Sequence, residues 1–256
     1  MKRTSRWSLR VARKVLTNSS FTLRNVRRRL ERVDGEPCPL GLSPDFALNC
    51  TVPDPPAEPI ELEAVDGRVR RLAGQVLLLV ARLDPAEGEK GHAELITTLP
   101  DLISEFPSVQ LVFPGPGEGR KPLAELAHRL GVADAVFMPG GVAPELLQKL
   151  YNVCYAFVMP SRQEGFGLVY LEAMNYAKPC VGCFDDGAEE VIVPGETGWL
   201  VRNPTHGAEL LEILKSLLSN PERARACGLN GFRRLHERFT SQQHQDRVIA
   251  SLERIL

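Results

Sequence analysis

Between residues 76 and 184, short apolar runs alternate with stretches of helical spacing, and few folds accept that order. The runs are VLLLV (76–80), VQLVF (109–113), AVFM (135–138), YAFVMP (155–160) and PCVGCF (179–184). Between them lie GHAELITTLPDLISEF (91–106), KPLAELAHRL (121–130), PELLQKLYNV (144–153) and LVYLEAMNYA (168–177). The runs read as strands buried on both faces, and the stretches between them as helices with short Gly- and Pro-marked connections. The chain is therefore expected to form an α/β fold around a doubly wound parallel sheet. Such sheets take ligands where the carboxyl ends of the strands meet loops and helix N-termini.

The remainder is organised around that block. From about residue 204 the pattern is helical: Asn203 or Thr205 is placed to cap GAELLEILKSLLSN, and Pro221 to open PERARACGLNGFRRLHERF. A last segment of mixed polarity runs to Leu256. ALNCTVPDPPAEPI (47–60) is Pro-rich and aperiodic, as a linker is. VLTNSSFTLRNVRRRL (15–30) reads as one strand, an N-cap at Ser19 or Ser20 and one basic helix, too little to bury a core alone. The expected division is 1–58, a small unit plus linker, and 59–256, the main domain. No apolar run approaches the roughly 18–20 residues that a membrane span needs.

Residues 1–33 hold eleven Lys/Arg and one Glu, so a chain of net charge −1 splits into +10 and −11. That start is Arg- and Ser-rich, as transit peptides are, and lacks the apolar core of a secretory signal. Its cations would equally suit anionic lipid or form one solvated face. Without aromatic interleaving or a known module, nucleic acid is not an expected partner. Six cysteines, Cys38, Cys50, Cys154, Cys180, Cys183 and Cys227, show no disulfide-framework spacing, and Cys180-Val-Gly-Cys183 reads as core rather than zinc or redox site. A reducing cytoplasm is the expected location.

The chemistry collects at one edge of the expected sheet. YAFVMP runs into SRQEGFG (161–167) and then into the helix that starts near Leu168. Gly165 and Gly167 let backbone N–H groups approach a ligand, and a helix start favours anions. Glu164 and Glu172 bracket this turn, where carboxylates can accept bonds from hydroxyls. Taken alone, Glu164 is equally a solvated turn residue and Glu172 a surface helix residue. Arg82 leaves the end of VLLLV and Lys90 precedes the next helix, so both cations sit at the same edge, placed to neutralise a diphosphate. FPGPGEG (113–119) supplies another Gly-rich turn there. Asp185 and Asp186 in FDDG (184–187) read as a sheet-edge loop, and the five histidines as solvated or structural residues.

In order and spacing these motifs resemble the donor-binding half of the family 4 retaining glycosyltransferases (glycosyl transferases group 1): ARL…KGH, LVFPGPGE, VFMPGGV, MPSRQEGFGLVYLEAM, KPCVGCFDDGAEEVI and PGETGWLV. The likeness covers roughly residues 73–240. It implies the Rossmann-like C-terminal lobe of a GT-B fold, with residues 15–46 resembling a remnant of the N-terminal lobe. By this resemblance Arg82 and Lys90 would hold the leaving diphosphate and Glu164 would face the donor sugar. Backbone N–H groups of Gly165, Phe166, Gly167 and Leu168 would meet sugar and diphosphate, Glu172 the ribose hydroxyls, and Val142 in PGGV the base. The resemblance implies no metal and no cofactor beyond a UDP- or GDP-linked sugar as donor. Retention through attack on the leaving group's face is also implied.

The acceptor lobe is nearly absent from this sequence. Three readings stay open: a piece of a longer enzyme, one half of a two-chain transferase with an acceptor-lobe partner chain, or a nucleotide-sugar binding module without turnover. A sugar-nucleotide epimerase shares the architecture but fits the motif order less well.

Overall fold

The computed structural model describes residues 12–30, 33–42, 51–52, 54, 58–84, 90–202 and 207–254. The first eleven residues of the basic start, the Asn203 and Thr205 cap candidates, Cys50, His206 and much of the Pro-rich stretch lie outside the described residues.

Six strands form one parallel sheet: β5 (Gln75–Leu78), β6 (Val109–Pro114), β7 (Val136–Gly140), β8 (Ala156–Val158), β9 (Cys180–Cys183) and β10 (Gly198–Val201). Their order is β10-β9-β8-β5-β6-β7. Leu77 faces Leu111 on one side and Ala156 on the other, so β5 is central. Numbered from β5, this is the 3-2-1-4-5-6 order of a Rossmann fold, with its reversal between β5 and β8. The strands are near-continuous apolar runs because helices cover both faces, and Leu77, Leu78, Phe157 and Val158 are fully buried.

The crossovers use α2 (His92–Glu105), α3 (Arg120–Arg129), α4 (Pro144–Val153), α5 (Leu168–Met174) and the single turn α6 (Ala188–Val191). Two further helices, α7 (Ala208–Ser219) and α8 (Pro221–Arg238), follow β10. Pro221 opens α8 as expected, and Gly207, not Asn203 or Thr205, occupies the N-cap position of α7. Packing of α7 on α2, and of α8 on α5 and β10, closes the core.

Among the elements that escaped the sequence reading are a hairpin and one strand of the main sheet. Strands β3 (Glu61–Glu63) and β4 (Val69–Arg71) form an antiparallel hairpin turned at Gly67. Its Ala64 bridges Phe137, so the hairpin covers the exposed edge of β7. β10 is the other: GWLV shows no alternation because it is buried by α7 and α8.

Ahead of the sheet, β1 (Val15–Thr17) and β2 (Gly35–Pro37) pair in parallel and are joined by α1 (Ser20–Arg29). Ser19 is the N-cap, accepting a hydrogen bond from the Thr22 N–H. This small unit is held by the last helix, α9 (Ser241–Glu253), which starts with a Thr240–Gln243 capping box. Ser251 donates to Glu36, and the Arg247 guanidinium donates to the Pro39 carbonyl. Leu42 N–H reaches the Phe239 carbonyl. The final helix of the main domain thus folds back onto the small unit that precedes the linker.

Candidate functional site

The strand-order reversal sets the site. The chain leaving β5 carries Arg82 and returns through Lys90 into α2, while the chain leaving β8 carries residues 161–167 into α5. Since β5 and β8 are neighbours, the two loops meet. Lys90 Nζ lies 2.9 Å from Glu164 Oε2, with the two side chains 17 % and 24 % exposed. Arg162 and Glu94 form a second link between these segments at 3.6 Å. An open cavity of about 330 Å³ lies in front of the β5 loop, lined by Arg82, Asp84, Lys90, His92 and Glu94 among others.

The glycines serve distinct needs. Gly167 sits at φ +87° as N-cap of α5, and a Cβ there would run into the Tyr170 ring. That ring is itself fixed, because the Tyr170 hydroxyl donates to the Met159 carbonyl at 2.6 Å at the end of β8. Gly187 has ordinary φ, but a Cβ there would run into the backbone of Glu164, Gly165 and Phe166, and its N–H donates to the Glu164 carbonyl.

Some expected ligand contacts are occupied by the protein. The Gly165 N–H is taken by Glu164 Oε1 at 3.1 Å, and the Gly165 carbonyl accepts from Ser19 Oγ and Thr22 Oγ1 of the small unit. Phe166 turns its side chain into the core against Phe239, so only its backbone is left for a ligand. A second cavity, also about 330 Å³, lies between the small unit and the start of α5, with Asn18, Leu40, Glu164, Gly167 and Leu168 in its walls. Because α5 has only seven residues, its dipole adds little to anion binding. The stronger positive charges at this edge are the side chains of Arg82 and Lys90, which line one cavity.

Glu172 lies apart from both cavities. It sits in α5 and accepts a 2.6 Å hydrogen bond from the Tyr151 hydroxyl of α4. Burial lifts its carboxyl above the usual range, against the lowering effect of that bond. Val142 is half-buried in the loop after β7, two strands from β5. The structure therefore brings Arg82, Lys90, Glu164 and residues 165–168 together, and leaves Glu172 and Val142 on the flanks.

Sequence reasoning passed over Asp186. In the FDDG loop Asp185 is exposed with φ +53°, and that turn directs Asp186 inward, where it is fully buried. Its Oδ1 accepts from the Gly187 N–H at 2.6 Å, and its Oδ2 has no partner. Burial first, then the charge of Glu164, pushes its carboxyl up to about 7, against the backbone N–H groups of Gly187 and Glu164 and the charge of Lys90. A pair of aspartates at the end of a buried run was the only available signal, and nothing in it tells which one turns in. His92 is likewise buried, its ring edge-on to Phe113 at 5.1 Å; burial and Lys90 hold its pKa down to about 4, so it is neutral at pH 7. Cys180 and Cys183 lie on buried β9, and burial pushes both thiols up, Cys183 to about 12. Among the described residues no cluster of His, Cys, Asp and Glu is arranged to hold a metal, and no helix is long and apolar enough to cross a membrane.

Asp186 makes stability depend on pH with a defined sign. The unfolded carboxyl ionises near its ordinary value of 3.8, whereas the folded one keeps its proton to about 7. The native state therefore binds more protons between these values, and its contribution falls as pH rises through that window. Asp186→Asn is expected to remove the effect. The variant should gain on the wild type by on the order of a few kcal/mol between pH 4 and pH 8, as three pKa units imply. Denaturant unfolding of both proteins across that range checks it; parallel curves would sink the assignment.

The model for the glycosyl transferases group 1 matches residues 69–234. A GDP-mannose-dependent alpha-(1-6)-phosphatidylinositol monomannoside mannosyltransferase of Mycolicibacterium smegmatis is 31% identical over 224 residues, 83% of this chain and 56% of that protein. A D-inositol 3-phosphate glycosyltransferase of Acidothermus cellulolyticus is 35% identical over 134 residues, 50% of this chain and 30% of that protein. The chain thus spans about half, or less, of the length of these curated relatives. Among solved structures, Anabaena HepE in complex with UDP and glucose superposes with a TM-score of 0.77 at 21% identity, covering 96% of this chain and 64% of that one. The sucrose-phosphate synthase of Thermosynechococcus elongatus gives a TM-score of 0.76 at 23% identity, covering 98% and 60%.

Proposed function

Because the chain belongs to the glycosyl transferases group 1, we propose that it is the donor-binding half of a hexosyltransferase active site. It would take a nucleotide diphosphate sugar and pass the sugar to a hydroxyl of a glycan or lipid-linked acceptor. The observation that carries this reading is the Lys90–Glu164 pair at the strand-order reversal, with Arg82 lining the same cavity as Lys90.

In this reading the diphosphate takes over Lys90 from Glu164, with Arg82 as the second cation. Negative charge on the leaving diphosphate grows as the glycosidic bond breaks, so cations fixed beforehand lower the barrier. Glu164, released from Lys90, accepts from hydroxyls of the donor sugar, and Glu172 accepts from the ribose. Both carboxylates already hold hydrogen-bond donors, which supports positioning roles over that of a covalent nucleophile. Transfer with retention, by attack on the leaving group's face, is the route consistent with this. Val142 and its neighbours after β7 would meet the base through backbone groups.

The M. smegmatis relative makes GDP-mannose the first donor to try, with UDP-glucose beside it. The full chain incubated with either donor is expected to release the nucleoside diphosphate slowly, the freed sugar appearing first as the α anomer by NMR. Tight donor binding without any release, or release as the β anomer, would overturn the proposed activity or its stereochemistry respectively.

A further inference from the structure

We propose that Tyr151 is a positioning residue for the donor ribose: its hydroxyl holds one carboxylate oxygen of Glu172, so that the other is presented to the ribose diol. The inference rests on Glu172 being the ribose carboxylate.

Tyr151 lies in the last turn of α4 and Glu172 in the second turn of α5, and the two are joined by the 2.6 Å bond from the Tyr151 hydroxyl to Glu172 Oε2. The phenol has little freedom. Its ring is fully buried, stacked on Tyr176 at 6.1 Å and 7° and tilted against Phe157 at 6.0 Å. An ionised carboxylate only accepts hydrogen bonds. With Oε2 fixed on a rigid donor, Oε1 has a defined direction, and in this proposal it is the acceptor for two adjacent hydroxyls.

The phenol also governs the ionisation of Glu172. Burial raises the carboxyl, and the Tyr151 bond is what opposes it. Tyr151 itself is pushed well above its ordinary value, by burial first and then by Glu172, so it stays a donor. Cys154 of the turn after α4 and Cys180 of β9, which also act on it, are thiols that burial keeps neutral, and the Tyr176 phenol stacks on its ring. Tyr151 thus favours the anionic form of Glu172 against burial, which still leaves the carboxyl raised.

The test compares Tyr151→Phe and Glu172→Gln with the wild type in calorimetric titrations. GDP and UDP are each set beside their 2′,3′-dideoxy counterparts, with melting curves as a check on folding. The wild type is expected to prefer the ribonucleotide. In Tyr151→Phe, ribonucleotide affinity falls about tenfold, the scale of one charge-assisted hydrogen bond, while dideoxynucleotide affinity stays within about twofold. The acid limb of ribonucleotide affinity moves to higher pH, because burial then acts on Glu172 unopposed. A merely structural role would weaken both nucleotides alike and leave that limb in place. If Glu172→Gln loses the ribose preference and Tyr151→Phe keeps it, the inference falls and the ribose role of Glu172 stands. If Glu172→Gln keeps the preference, or neither nucleotide binds, the ribose role falls and the inference with it.

Discussion

Lys90→Ala is expected to weaken nucleotide diphosphate sugar binding by about 10- to 100-fold, the range spanned by the loss of one charge-assisted hydrogen bond. The effect is large because Lys90 has two tasks. In the proposed function it binds the diphosphate, and in the structure it pairs with Glu164 at 2.9 Å and lowers the proton affinity of the buried Asp186. Without the ammonium, two carboxylates share one partly buried loop cluster, and like charges at that range disfavour joint ionisation. The variant should therefore also be less stable at neutral than at acid pH, relative to the wild type. Adding Glu164→Gln should restore stability but not affinity. Calorimetry and denaturant unfolding of the single and double variants separate the two tasks; affinity within about twofold of the wild type would remove Lys90 from the diphosphate site.

Gly187→Ala should produce the second large effect, and for a different reason. Gly187 has φ −61°, which any residue adopts, so the obstacle is space rather than backbone freedom. A Cβ would meet the Phe166 nitrogen, the Gly165 carbonyl carbon and the Glu164 carbonyl oxygen, all backbone atoms that cannot rotate away. The loop after β8 must shift, and with it Glu164 and the start of α5. Overpacking of this kind costs about 1–3 kcal/mol. A displacement near 1 Å at reacting groups can lower turnover by about 100-fold. The melting temperature and the rate of donor cleavage should fall together. By contrast Gly195→Ala, where a Cβ meets nothing within 4 Å though φ is +80°, should cost stability without touching the site. An unchanged cleavage rate in Gly187→Ala would mean that the loop position does not matter.

The sequence disclosed the sheet more completely than the site, for physical reasons. Parallel strands covered on both faces must be apolar throughout, so β5 to β9 stood out as runs, and helix α4 was legible to the residue because Pro144 marks its start. The hairpin β3–β4 was not legible: three residues such as Glu61–Glu63, with one buried Leu62, carry too short an alternation. Arg82, Lys90 and Glu164 could be placed at one sheet edge because strand ends and glycines point there, and the Lys90–Glu164 pair follows from β5 and β8 being neighbours. Asp186 was missed because inward or outward direction in a loop is set by a backbone turn at Asp185 that no side-chain pattern records. The Tyr151–Glu172 bond joins residues 21 apart on different helices, a distance that only packing closes. The Ser19 and Thr22 contacts to Gly165 link the small unit to the site loop across more than 140 positions.

The most direct test of the central claim is calorimetric titration of the full chain with a series of UDP- and GDP-sugars. The account predicts saturable binding of donors of one base, one site per chain, weakened by rising salt because two cations meet the diphosphate. No heat from any donor, or binding indifferent to salt, would contradict a diphosphate site at Arg82 and Lys90.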